Sequence, residues 1–198
     1  MIILILGLVI FLGMHSIRIF ADNTRTRLID KYSDGMWKGA YSLISLLGLV
    51  LIIYGYGQTR IDPLYLWHPP LFTRHIATLL MLFSFVLLAA VYVPANAIKA
   101  RVGHPMLLGI VVWALAHILA NGRLGDVVLF GSFLIWAKVD YIVCVRRDKQ
   151  RRLREADNPT VVNTSVLATV ATVVIGLLAF SIFALWLHLK LIGVSPFG

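Results

Sequence analysis

The 198-residue chain has one cysteine, Cys144, and only nine acidic residues. A single cysteine rules out an internal disulfide, a four-cysteine zinc site and an iron–sulfur cluster held by the cysteines of one chain. Charge of either sign is scarce: 14% of residues are charged, against roughly 25% in an ordinary soluble domain. The sequence has no pair of zinc-protease histidines beside a glutamate, no glycine-rich phosphate loop and no nucleophile-elbow serine, so hydrolase and nucleotide-binding readings have no support. No repeat of fixed period and no low-complexity tract occurs. The chain opens Met1-Ile2-Ile3 with no basic leader, and the first segment is therefore expected to be a retained helix rather than a signal peptide.

What the chain has in quantity is apolar residues, 60% of the total, with a mean hydropathy of +0.87. They come in long blocks separated by short polar stretches, which excludes a soluble globular domain and reads as an integral membrane protein. Six blocks suit membrane helices: Met1 to about Phe20, Lys38 to Gly57, Leu71 to Val93, Pro105 to Asn121, Leu124 to Val145 and Val161 to Ile192. The expected fold is all-α, a polytopic bundle of about six transmembrane helices forming one domain over residues 1–198. The formal charge of +9 would raise the question of nucleic acid in a soluble protein. Here it marks loops on the cytoplasmic side, since Lys and Arg near span ends are retained there. Thirteen basic residues lie in the first, third and fifth connections, six of them between Arg146 and Arg154, whereas Arg60, Arg74, Arg123 and Lys190 lie on the other side. Both termini are thus expected to face away from the cytoplasm. The cluster at the fifth connection is also compatible with anionic lipid headgroups.

Pro63, Pro69 and Pro70 around Trp67 and His68 predict an ordered loop that could cap a pocket. In the sixth span Ala168, Thr172 and Gly176 recur every fourth residue, a stripe that lets another helix approach closely.

Ionisable side chains are costly inside a bilayer, so those in the spans are functional candidates. They are His15, His75, His117, His188, Lys138 and Asp140, while His68 and His104 fall at loop edges. Six histidines with almost no carboxylate among them favour neutral imidazole acting as a ligand for haem iron or a transition metal; a histidine satisfied by a backbone carbonyl is the structural alternative. Trp113, His117 and Asn121 follow at four-residue spacing and share a helix face, which would line a cofactor pocket or an ordinary helix seam. His117 stands thirteen residues above His104, about 20 Å along a helix, so simple register pairs His117 with His75 or His188, and His15 with His104. His104 before Pro105 also fits a plain helix start.

The stretch Gly103 to Gly122, GHPMLLGIVVWALAHILANG, resembles the signature of the NnrU family of bacterial membrane proteins. His15-Ser16 with Arg18, His68-Pro69-Pro70 followed by Arg74-His75, and Tyr92-Val93-Pro94 extend the likeness over most of the chain. The resemblance implies a place in denitrification and nitric oxide metabolism, in a bacterial inner membrane. It also implies kinship with the zeta-carotene cis isomerase, a membrane enzyme with histidine-ligated haem b. By motif, the isomerase ligands fall on His117 and His15, so the partner of His117 is His15 by resemblance and His75 or His188 by register. Ala114 stands where the isomerase is expected to have a cysteine, which counts against ligand switching.

Two functions follow as expectations. One is a haem b protein, the haem held noncovalently because no C-x-x-C-H motif exists, with redox or isomerase chemistry on a small apolar molecule entering from the lipid. His117, His75, His15 and His104 are its candidate ligands, and Trp113 and Asn121 candidate lining. The other is a non-enzymatic transporter or an assembly factor for nitrogen-oxide reductases, with Lys138 and Asp140 on a polar path.

Overall fold

A computed structural model describes residues 1–154 and 163–197, and everything said of structure concerns these residues. They form helices joined by short loops, with no strand among them. The helices are α1 (Ile2–Phe20), α2 (Asp22–Tyr32), α3 (Asp34–Thr59), α4 (Leu71–Tyr92), α5 (Ala97–Val102), α6 (Pro105–Ala120), α7 (Leu124–Arg154), α8 (Val166–Ile182) and α9 (His188–Ile192), with a π-helical turn at Phe183–Leu187 between the last two.

Five of the expected blocks become helices long and apolar enough to cross a membrane. The block expected as the fourth span is the apolar helix α6, with 16 residues and thus about 24 Å long, against a hydrocarbon core of about 30 Å. Three stretches expected as connections are helical. α2 occupies the first, α5 lies in the third, and α7 continues past Val145 to Arg154. Hydropathy marks where an apolar block stops, whereas helical hydrogen bonding continues through residues such as Arg, Lys, Gln and Leu that favour it. Val161, the expected start of the last span, lies outside the described residues; its helix begins at Val166 after Ser165, whose Oγ accepts from Ala168 N. Ser33 caps α3 in the same way, and Pro105 opens α6 at a position where its missing N–H costs nothing.

The chain divides into two compact units. The first comprises Met1–His68 and Gly122–Trp136. Its centre is the antiparallel pair α1 and α3, whose backbones touch at glycines. A Cβ on Gly7 would lie 2.6 Å from Ile52 N, one on Gly48 would lie 2.8 Å from Phe11 N, and one on Gly55 would strike the backbone of Leu4. The proline-rich loop is ordered by pairing with the chain before α7: Leu66 N donates to Gly122 O and Leu124 N to Leu64 O, both at 2.8 Å.

The second unit comprises Pro69–Asn121 and Ala137–Gly198. Here α4 packs against both α6 and α8. The buried Ser84 Oγ donates to Gly109 O of α6 at 2.8 Å. The expected small-residue stripe is where α8 meets α4: Thr172 and Gly176 are buried, and a Cβ on Gly176 would lie 2.6 Å from Val86 Cα. The buried Asn96 fastens the turn after α4, donating to Ala90 O and accepting from Lys99 N. Ser165 N donates to Ala95 O at 2.8 Å, tying the start of α8 to that turn.

Candidate functional site

Within the second unit, α4, α6 and α8 leave a cavity of about 370 Å³ that the chain's C-terminal residues help to close. This lies in the range of small-molecule and cofactor sites, roughly 300–1,000 Å³. Its walls are apolar, with Phe85, Phe180, Phe183 and Phe197 the largest groups and alanines between them. Six polar side chains break that surface: the hydroxyls Thr78 and Ser195, and with them His117 and Asn121 at the end of α6, His188 after the π turn, and Arg74 in the first turn of α4.

The two imidazoles are held alike. His117 Nδ1 lies 2.8 Å from Trp113 O, one turn back on its own helix, and His188 Nδ1 lies 2.6 Å from Val194 O in the chain's final turn. A carbonyl only accepts, so in each ring Nδ1 carries the proton and the lone pair sits on Nε2, the arrangement in which a histidine binds a metal. Asn121 Nδ2 donates to His117 O at 2.9 Å, and the Trp113 ring lies 5.3 Å from the His117 ring.

The sequence candidates separate as follows. His117 and Asn121 line the cavity, Trp113 backs His117 without lining it, and His188 joins them. His75 is exposed on α4 and lies outside the lining, although its neighbour Arg74 belongs to it. His104 precedes α6 and pairs through Nε2 with Asp148 Oδ2 at 2.9 Å. Lys138 is exposed, and Asp140 accepts from Cys144 Sγ.

His15 belongs to the first unit. Its Nδ1 lies 2.7 Å from Phe11 O, and its ring stacks on Phe11 at 4.2 Å, with Tyr41 at 5.4 Å and Trp136 edge-on at 6.0 Å. The buried Trp136 Nε1 has no hydrogen-bond partner among the described residues. His15 and His117 therefore share one design: an aromatic residue one turn earlier whose carbonyl takes the Nδ1 proton.

The first unit also holds a polar cluster that hydropathy and motif do not mark. Asp126, 1% exposed, accepts from Tyr56 Oη at 2.7 Å and from Arg123 Nε at 2.8 Å. Burial works against the charge on Arg123, but the hydrogen bonds and the negative charge of Asp126 outweigh it and hold the guanidinium above its ordinary pKa. The available signal was an arginine three residues before an aspartate at the start of an apolar helix.

Among the described residues no three His, Cys, Asp or Glu side chains gather as they would around a bare ion. One or two imidazoles in an apolar cavity with an arginine at hand instead suit a macrocycle that brings most of its own ligands and carries carboxylates.

Long apolar helices with a histidine-bearing cavity define an all-helical membrane protein. The chain belongs to the NnrU family, described as NnrU protein, which it matches over residues 3–196. Comparison with curated proteins and with solved structures finds no match.

Proposed function

We propose that this protein binds haem b noncovalently in the cavity of its second unit, in a bacterial inner membrane, and serves the membrane chemistry of nitrogen oxides. The observation that carries the reading is the pair of imidazoles at one cavity, each with Nδ1 engaged by a backbone carbonyl. His117 and His188 would hold the iron. Arg74 would orient a carboxylate through its guanidinium fork, and the four phenylalanines would keep water away and so tune the potential. The bound group supplies one-electron or small-molecule chemistry at its iron; a small apolar substrate would reach it from the lipid, and isomerisation of such a molecule falls within the same reading. Family membership supports the link to denitrification, and the distribution of basic residues supports a topology with both termini away from the cytoplasm.

The test is an absorption spectrum, oxidised and reduced, of the full chain purified in detergent from haem-supplied cells. Wild type should show a b-type spectrum, His117→Ala should lose it, His188→Ala should alter it, and His75→Ala should leave it unchanged. His15→Ala measures the pairing that the resemblance implies. An unchanged spectrum in His117→Ala overturns the assignment. Well-folded wild type that takes up no haem would turn the reading to transport or to assembly of a partner reductase.

A further inference from the structure

The last third of α7 does not fit in the hydrocarbon. Its 31 residues extend about 46 Å, some 16 Å more than a hydrocarbon core of about 30 Å. The excess is the segment beginning at Arg146, so these residues stand at headgroup depth, whichever leaflet that is. Six basic residues lie between Arg146 and Arg154, against Asp148 there and Glu155 and Asp157 just beyond.

The helix is also fixed in rotation. Asp148 is paired with His104 at 2.9 Å, and about two turns earlier Tyr141 Oη donates to Val102 O at 3.2 Å. Both partners lie beside the start of α6, so this side of α7 is pinned within the second unit. At about 100° per residue, Arg147, Gln150, Arg151 and Arg154 fall on one face, with Arg151 about 60° round the helix from Asp148 and the other three about 100–160° from it. These four side chains line a shallow concavity. A row of guanidinium forks on a helix that cannot roll is preorganised for tetrahedral oxyanions.

We propose that this face is a binding site for the phosphate headgroup of an anionic phospholipid, with Arg151 and Arg154 as the main contacts and Arg147 and Gln150 beside them. The occupant follows from the depth of the site: phosphates of the surrounding bilayer are present at that level at high local concentration, and each basic residue at the surface adds attraction to anionic lipid. The site does not depend on haem and is tested separately from it.

The experiment is native mass spectrometry of the full chain in detergent, titrated with phosphatidylglycerol or phosphatidylcholine. Wild type should retain phosphatidylglycerol at least about fivefold better, the increment expected of one surface cation. R151Q/R154Q should lose the preference, whereas R25Q/R27Q on α2 should keep it. R151K/R154K retains the charge that governs insertion and loses the forks; its preference should fall to between those of wild type and R151Q/R154Q. No preference in wild type, or equal losses in both Gln pairs, overturns the proposal. Full displacement of the lipid by an equal concentration of inorganic phosphate also overturns it, since the site would then serve a free anion.

Discussion

At the scale of single residues, the molecule spends its polar groups in two ways. His15, His117 and His188 each give Nδ1 to a backbone carbonyl, which fixes tautomer and ring orientation without another side chain. Asp126 gathers its partners from elsewhere, taking Tyr56 and Arg123 around one buried carboxylate. Removing the carboxylate leaves a largely buried cation unpaired, so Asp126→Ala should destabilise the protein by about 3–5 kcal/mol. Tyr56→Phe leaves the ion pair in place and removes the 2.7 Å hydrogen bond to the carboxylate together with a long one, 3.5 Å, from Arg123 Nη2, and should cost about 1.5–3 kcal/mol. Equilibrium unfolding in mixed detergent and dodecyl sulfate micelles, followed by circular dichroism, measures both; equal losses would mean that the charge of Arg123 is relieved by other means. The shared face of Trp113, His117 and Asn121 was legible because helical periodicity alone sets it. The Asp126 cluster was not, because by its place in the sequence Arg123 marks only topology, and the contact to Tyr56 joins residues 70 positions apart.

At the scale of elements, length and packing answer to different signals. Apolar block lengths located the long helices, whereas the basic tail of α7, the short α5 and all of α2 were missed because they are helical without being long apolar blocks. The glycines of α1 and α3 show what local spacing leaves open. Gly48 sits with its missing Cβ against the backbone of Phe11, whereas Gly13 on α1 has nothing within 4 Å. Gly48→Ala must therefore push two helix backbones apart, at about 1–3 kcal/mol, while Gly13→Ala should stabilise by about 0.5–1 kcal/mol through its better helix propensity. Opposite signs in the same micelle unfolding assay are the expected result; two losses of similar size would mean that the α1–α3 contact is looser than its glycines imply. Register likewise brought His188 to the level of His117, but the π turn and Gly193 in the left-handed region, φ 77°, which bend the chain's end back to His188, leave no periodic trace.

At the scale of the whole molecule, the distribution of basic residues makes a statement about sidedness that the single cysteine makes easy to test. With Cys144 replaced by Ser, single cysteines at Ser33 or Lys149 should react with a membrane-impermeant maleimide only after the membrane is opened, and one at Asp62 should react in intact spheroplasts. The reverse pattern would invert the topology. The two-unit division was not visible in the sequence, since both units draw on residues far apart along the chain and share the helix α7. One consequence of the carbonyl-anchored imidazoles concerns the order of events in biogenesis. Because each ring is oriented by the chain's own backbone, neither imidazole needs a bound group to set its direction. On the haem reading proposed above, insertion into the bilayer and loading of the site are then separable steps, and cells starved of haem should accumulate folded, empty protein that fills on resupply without new synthesis.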